Sequence, residues 1–239
     1  MARIKSDIAD QAFEYISNKI NNYELKPGDT ISDFLISKEL EMSRTPIKEA
    51  IHHLIRLKLV KKERTKSVVT SITVEDIFEI LEMRMILEIY AAEIIRERGG
   101  LTKAELKDIS KINEKIDASL KTQSYYNTFT EDANFHLYLI KLCNNSRVLE
   151  TYKDTIAQGK RLRWLSILTQ DRLSNIVIEH NNIIKSINNL STHTAPSEIR
   201  THMMNSYNNY KKIMNDNKNW EYTISLITQI QNNPNSLQV

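Results

Sequence analysis

The sequence contains few of the residues that interrupt helices. Its 239 residues include only 4 glycines and 4 prolines, while isoleucine, leucine, lysine, glutamate and asparagine are abundant. This composition favours long helices over a strand-rich sandwich or a glycine-rich nucleotide-binding fold. Because 41% of the residues are hydrophobic, a chain of this length can build its own core, and we expect a mainly α-helical protein.

Disulfides and long apolar segments are also lacking. Cys143 is the single cysteine, so no disulfide can form within the chain. The N-terminal MARIKSDIADQAF has no apolar segment of signal-peptide length, and no run of 18 apolar residues occurs. These absences predict a cytoplasmic protein without a membrane partner.

The excess positive charge is confined to a short segment. Residues 43–66 carry eight basic and two acidic side chains, whereas residues 71–239 carry 20 of each. A basic segment of this kind is typical of a surface that binds the phosphates of nucleic acid. A solvated basic face is the alternative.

A helix-turn-helix pattern occupies the same region. After a first amphipathic helix and a Pro-Gly turn, Ser32 is expected to cap a short helix with Phe34, Leu35 and Leu40 facing inward. The three-residue break EMS separates it from SRTPIKEAIHHLIRLKLV, in which Thr45 is expected to be the cap and Pro46 the first helical residue. The predicted buried stripe of this second helix is Ile47, Ala50, Ile51, Leu54 and Leu57.

After this helix, the spacing of the apolar residues changes from a helical period to that of a strand. Val60 and Val68 flank the basic tip KKERTKS, which predicts the two-stranded hairpin, or wing, of a winged helix. Arg64 and Lys66 on this tip are expected to reach the DNA backbone or minor groove.

The start of the second helix is the other predicted DNA contact. It carries Ser43, Arg44, Thr45 and Lys48, of which Arg44 and Lys48 are expected to project toward base edges or phosphates. Each of these side chains taken singly could be an ordinary surface charge. Their joint placement on the two elements that a winged helix inserts into DNA favours the functional interpretation.

The rest of the chain is predicted to form an antiparallel bundle of about six helices. Thr102 and Glu105 form a predicted capping box, and an additional short helix is expected after Asn215. We therefore divide the chain into a DNA-binding domain, residues 1–72, and a helical domain, residues 73–239. The predicted helices of the bundle are about 75–98, 103–121, 126–143, 146–169, 172–190 and 196–217.

Polar residues occupy apolar positions of this bundle. In EDANFHLYLI, Asp132 and His136 lie four residues apart on the predicted inward face, and His180 and His202 lie on the inward faces of two later helices. A lone inward histidine is usually a core residue satisfied by a hydrogen bond. Several such groups in one bundle need partners, which a shared divalent ion supplies. Zinc is the first expectation, with nickel, cobalt or manganese as alternatives. The apolar residues that define the inward face of the helix carrying Asp132 and His136 are Phe129, Ala133, Leu137 and Ile140.

Two arginines are candidates for binding an acidic ligand. Arg84 falls on the predicted inward face of the first bundle helix, where it could clamp a carboxylate beside the metal. An ion pair with Glu88, one turn later, is the alternative. Arg163 could play the same part, although its face is ambiguous.

Both halves of the chain resemble one family. LKPGDTIS followed by SRTPIKEA resembles the DNA-binding domain of the GntR superfamily of bacterial transcription regulators. The bundle resembles the FCD effector domain of the FadR branch, in particular its VanR-like subgroup. The motif residues of that domain match Arg84, Glu88, Asp132, His136, His180 and His202 in order.

The resemblance implies a homodimer that binds a palindromic double-stranded operator and carries a metal-dependent pocket for a small organic acid. It also implies that Arg44 reads bases while Ser43, Thr45 and Lys48 contact backbone or bases. Here the sequence departs from the family: Lys48 replaces an arginine, Phe34 stands where relatives often have a DNA-contacting arginine, and Lys58 replaces a glycine before the wing.

Two other functions remain open at this stage. A metalloenzyme could use three histidines and an aspartate to activate water, but no inward glutamate is positioned as an obvious base. Alternatively, the helices could form only a dimerisation scaffold with structural histidines. The effector, the operator and the direction of regulation are not specified by these patterns.

Overall fold

The computed structural model describes residues 2–162 and 170–216. The chain divides into two compact units, Met1–Thr73 and Val74–Val239. Both units are mainly helical, as the composition predicts, and the first also contains a small sheet.

The first unit is built on three helices: α1 (Ala2–Asn21), α2 (Asp33–Glu39) and α3 (Arg44–Arg56). Apolar residues at helical spacing bury one face of α1 against α3. The predicted stripe of α3 is confirmed, since each of its five members is at most 5% exposed: Ile47, Ala50, Ile51, Leu54 and Leu57.

A three-stranded antiparallel sheet completes this unit. Strand β1 (Thr30–Ile31) pairs with β3 (Lys66–Val69), which pairs in turn with β2 (Val60–Glu63). The predicted wing is therefore confirmed as the β2–β3 hairpin, although β1 was not foreseen because two residues carry no periodic signal. Lys58 and Arg64 both adopt φ 56°, the left-handed conformation for which glycine is usually chosen, and the hairpin forms without glycine.

Two details of the helix-turn-helix differ from the prediction. Ser32 does cap α2, accepting a hydrogen bond from the Leu35 amide, but Phe34 and Leu35 are 48% and 57% exposed. Ile36 is the buried residue of this seven-residue helix, because so short a helix contacts the core through a narrow face. The prediction that Phe34 and Leu35 face inward was wrong.

The second difference is the start of α3. The helix begins at Arg44 with Ser43 at the N-cap position, so Thr45 is not the cap. Pro46 lies in the first turn, where its missing amide hydrogen would have no partner within the helix. The earlier start places Arg44 at the first helical position, beside α2.

The second unit contains six helices among the residues that the structure describes, in agreement with the predicted bundle. Thr102 and Glu105 form the expected capping box. The predicted helix over 146–169 ends at Gly159 and continues as a 3-10 turn, Lys160–Leu162, while residues 163–169 and the tail after 216 lie outside the described residues. The six helices are α4 (Val74–Glu97), α5 (Lys103–Lys121), α6 (Tyr125–Leu142), α7 (Ser146–Gly159), α8 (Gln170–Asn188) and α9 (Ala195–Asp216).

Helix α6 lies among α4, α5 and α7, and its buried arc differs from the predicted one. Ala133 is exposed and Leu137 is only half-buried, whereas Phe135, Leu139 and Ile140 are fully buried. The buried face is therefore rotated toward the side that carries Phe135 and Leu139. This rotation brings position 132 to the middle of the inward face.

Among the helices that the structure describes, none combines the length and the apolar character that crossing a bilayer requires.

Candidate functional site

The first candidate site is the basic surface of the first unit. All six side chains predicted to contact DNA are exposed, and none contributes to the core. The structure places Arg44, Lys48 and Lys66 around one cleft of about 500 Å³, while Ser43, Thr45 and Arg64 do not line it. The cleft thus joins the N-terminal end of α3 to the wing.

Two basic side chains in this cleft were not singled out by the sequence. Lys62 on β2 donates to the Ser67 hydroxyl at 2.9 Å, and His52 lies one turn after Lys48 on α3. Both positions were hidden within a generally basic segment. Only the folded structure shows which basic side chains of that segment line the cleft.

The second candidate site is a buried cluster in the helical unit. Asp132 and His136 from α6 meet His180 from α8 and His202 from α9, and one ligand atom from each lies within 4.8 Å of the others. His136 Nε2 is 3.2 Å from His202 Nε2, and Asp132 Oδ1 is 3.5 Å from His180 Nε2. The structure therefore brings together all four residues that the sequence proposed as metal ligands.

His136 is oriented by a carboxylate behind it. Its Nδ1 atom is 2.7 Å from Glu88 Oε2, and both side chains are fully buried. Glu88 also accepts a hydrogen bond of 2.9 Å from the Tyr152 hydroxyl. Burial would raise the pKa of Glu88, but its electrostatic interaction and hydrogen bond with His136 and the positive charge of Arg84 lower that pKa to about 2. The carboxylate is thus ionised, and His136 must donate through Nδ1.

The other two imidazoles are held in a similar way. His202 Nδ1 is 2.7 Å from Glu179 Oε2, and His180 Nδ1 is 3.2 Å from Asn113 Oδ1. The His180 ring also stacks on Phe135, with centroids 3.7 Å apart and planes 1° from parallel. Acceptors at Nδ1 leave Nε2 of each ring directed at the centre of the cluster.

This donor set fits a divalent cation. Neutral imidazoles that donate through Nδ1 present lone pairs at Nε2, and two such lone pairs 3.2 Å apart repel unless a cation or proton lies between them. An ion with bonds of about 2.1 Å separates its tetrahedral ligands by roughly 3.4 Å. The His136–His202 and Asp132–His180 spacings of 3.2 Å and 3.5 Å are close to that value, and the widest spacing in the cluster is within 4.8 Å. A carboxylate or amide behind each ligating histidine is also the usual second layer of a metal site.

Arg84 lies beside this cluster and pairs with Glu88. Its Nε is 3.3 Å from Glu88 Oε1, so the ion pair considered as the alternative is present. Burial opposes the charge, but Tyr152 and Glu88 raise the pKa of Arg84 above its ordinary value, and the guanidinium remains charged. Its side chain keeps 18% exposure. Arg163 lies outside the described residues.

Comparison with known proteins decides the family. Residues 8–69 match the model described as bacterial regulatory proteins of the gntR family, and residues 79–205 match the FCD domain. The chain belongs to the GntR family and carries an FCD domain. It is a transcription regulator and not an enzyme.

Individual relatives of this GntR-family regulator cover different parts of it. An uncharacterized HTH-type transcriptional regulator, YdhC of Bacillus subtilis (strain 168), is 24% identical over 87% of this chain and 93% of its own. The gluconate operon transcriptional repressor of the same organism is 30% identical over 52% of this chain and half of its own. Among solved structures, E. coli McbR/YncC has the same fold, with a TM-score of 0.72 and 16% identity over 86% of this chain and 97% of its own.

The residues behind the metal ligands were mostly missed by sequence reasoning. Glu88, which the sequence indicated only as a possible ion-pair partner of Arg84 and as a motif residue of the family, is fully buried. Its oxygens accept from Arg84, His136 and Tyr152, so it orients other groups instead of acting as a free base. Asn113 had a usable signal, since it lies at helical spacing between the buried residues Ile109 and Ile116. The sequence around Glu179 and Tyr152 carries no comparable signal.

Proposed function

We propose that this GntR-family protein is a ligand-responsive regulator whose DNA affinity changes when a small organic acid binds beside a divalent metal. The observation that carries the proposal is the convergence of Asp132, His136, His180 and His202 in a chain that also has a winged helix-turn-helix. In this proposal residues 1–72 bind DNA, and residues 73–239 bind metal and effector and form the dimer.

The DNA-binding part rests on the exposed cations of α3 and the wing. A helix that enters the major groove reads bases with side chains near its N-terminal end, where Arg44 and Lys48 lie. Arginine can donate to both O6 and N7 of guanine, whereas lysine donates from a single nitrogen. We propose that Arg44 reads a base, that Lys48, Ser43 and Thr45 contact phosphates or bases, and that Arg64 and Lys66 contact the backbone.

The metal part rests on ligand type and burial. Three imidazole nitrogens and one carboxylate oxygen suit zinc best, and nickel, cobalt and manganese accept the same donors. When bound, the ion would supply a positive charge that polarises an anionic ligand. The three histidines are at most 3% exposed, whereas Asp132 keeps 23% side-chain exposure, so a small ligand would approach on the aspartate side.

The proposed effector is a small carboxylate. Arg84 keeps part of its surface exposed and provides a charged donor that could bind a second carboxylate in addition to Glu88. Arg163 is a second proposed cation for this ligand. One relative is a repressor of the operon of an organic acid, gluconate, which supports an acid as ligand and repression as the mode of action.

The homodimer rests on an apolar face of α4. Met83, Ile86 and Tyr90 are each at least 42% exposed and lie on one side of the helix. A second copy that packs this face against its own would bury it symmetrically, and a two-fold protein matches a palindromic operator. Effector binding would act by favouring one dimer arrangement, which requires different affinities for the two arrangements.

Three measurements on the full-length protein test this function. Elemental analysis should find about one transition-metal ion per chain, and in vitro selection from random duplexes should enrich a palindromic sequence. Adding acetate, citrate or gluconate to the metal-loaded protein should change its affinity for the selected duplex.

Absence of metal, even after incubation with zinc, would favour the scaffold interpretation. An Arg44→Ala variant that folds and still binds the selected duplex specifically would remove the assignment of α3 as the reading helix.

A further inference from the structure

We propose that Asp33 is the positioning residue for Arg44 and thereby sets the sequence specificity of the protein. The inference rests on the proposed function, because it requires that Arg44 reads a base. It assigns a role in DNA recognition to a residue of α2, the helix that precedes the reading helix α3.

The contact between the two side chains is bidentate. Arg44 Nη2 is 2.8 Å from both oxygens of Asp33, and Arg44 Nε is 3.2 Å from Oδ2. These contacts use the side edge of the planar guanidinium. Nη1 takes part in none of them, so the end of the group, which carries Nη1, faces away from the carboxylate.

That division of the guanidinium suits base reading. A guanine presents O6 and N7 to two parallel N–H donors in the major groove. Because Nη2 contacts both oxygens of Asp33, Nη1 is the nitrogen outside the contact that can turn to the base, and the plane of the group is fixed before DNA arrives. A free arginine at the same position would have to lose its rotamer freedom on binding.

Asp33 is itself held firmly. It is the first residue of α2, directly after the N-cap Ser32, where the partial positive charge of the helix end favours a carboxylate. The hydrogen bonds from Arg44 lower the pKa of Asp33, so the carboxylate is charged at neutral pH. Its side chain is 21% exposed against 55% for Arg44, so the more buried partner orients the more exposed one.

A different role for Asp33 makes the opposite prediction. Its negative charge also lies 3.9 Å from Lys48 Nζ and within the basic cleft, so it could simply weaken binding to phosphates. If that were its only role, neutralising it would strengthen binding to every duplex. If it positions Arg44, neutralising it weakens binding to the correct sequence alone.

The test uses full-length protein and two duplexes. One is the sequence enriched by the wild type from a random library, and the other is a shuffled duplex of the same composition. We expect Asp33→Asn to weaken binding to the selected duplex about tenfold and to leave binding to the shuffled duplex unchanged or tighter. Asp33→Glu, which retains the charge, should keep most of the specificity ratio. Glu49→Gln removes one exposed negative charge from α3 and should not lower the ratio.

The outcomes separate this inference from the proposed function. If Arg44→Ala abolishes specific binding but Asp33→Asn tightens binding to both duplexes equally, the positioning role is overturned and the reading helix stands. If the wild type enriches no sequence, both are overturned. The variant that combines Asp33→Asn with Arg44→Ala should lose no more specificity than Arg44→Ala alone, because Asp33 acts only through Arg44.

Discussion

His136 and His202 approach each other through Nε2 atoms 3.2 Å apart, while the Nδ1 atom of each is 2.7 Å from a carboxylate oxygen. Two imidazoles in this arrangement need a positive charge between them. A divalent ion supplies that charge and also engages His180 and Asp132, whereas a single proton serves only the pair.

Metal binding should therefore stabilise the helical unit. At zinc concentrations of 100 to 1,000 times Kd, the free energy of unfolding should rise by about 3 to 4 kcal/mol, since the unfolded chain has no preformed site. Chelator should reverse the gain in a urea titration. His136→Ala should abolish it, while His193→Ala, which removes an exposed histidine, should retain it. An equal gain in all three proteins would argue against this site.

Glu179 should tune the metal affinity without being a ligand. Its oxygens accept from His202 Nδ1 and Asn205 Nδ2, both at 2.7 Å. Glu179→Gln replaces the charged acceptor by a neutral one and should weaken zinc binding roughly 10-fold to 100-fold in competition with a chromophoric chelator. Glu114→Gln alters an exposed glutamate on α5 and provides the matched control. Equal affinities in the two variants would assign Glu179 a purely structural role.

Tyr152 should contribute to stability through its hydroxyl. It is 1% exposed and donates to the charged Glu88, and a buried hydrogen bond to a charged group is worth about 1.5 to 3 kcal/mol. Tyr152→Phe should lower the free energy of unfolding by about that amount. Tyr138→Phe removes an exposed hydroxyl that donates to Asp108 at 3.3 Å and should change stability by less than about 0.5 kcal/mol.

Arg96 should be a main support of the α8–α9 connection. Its guanidinium donates to the carbonyls of Ser186, Asn189 and Thr192, at the end of α8 and just beyond it, where carbonyls lack partners within the helix. Arg96→Met should destabilise the protein by roughly 1 to 3 kcal/mol in denaturant titrations. Arg98→Met, which breaks only the ion pair of an exposed side chain with Glu105, should cost less than about 1 kcal/mol.

The apolar face of α4 should be required for dimerisation. Ile86→Glu introduces a charge where Ile86 is 54% exposed, and sedimentation should show a shift from dimer to monomer. Ile178→Glu, at an isoleucine of 59% exposure on α8, should leave the dimer intact. If the Ile178 variant dissociates and the Ile86 variant does not, the interface lies elsewhere.

The sequence was most informative where a repeating pattern met an unexpected residue. Asp132, His136, His180 and His202 interrupt apolar stripes, and the structure brings all four together. The period of α6 located Asp132 and His136 even though its buried arc was placed incorrectly, because these two residues share a face under either assignment. The helix count and the wing followed from periodicity in the same way.

What the sequence could not supply are contacts between residues far apart in the chain. Tyr152 occupies an ordinary apolar position of α7, and only the packing of α7 against α4 brings its hydroxyl to Glu88. Asp33 is an unremarkable first-turn carboxylate until the start of α3 at Arg44 places the two side chains together. Such pairings depend on the angle between helices, which a single sequence does not encode locally.

Helix α4 carries two features on opposite sides. Glu88, which holds His136, faces the bundle, whereas Ile86, two residues earlier and about 200° away around the axis, faces outward. A signal from the metal to a partner subunit would therefore need to cross only the width of one helix, about 10 Å. Rotation of α4 about its own axis would move both faces at once. The same helix would then take part both in sensing the ligand and in forming the dimer.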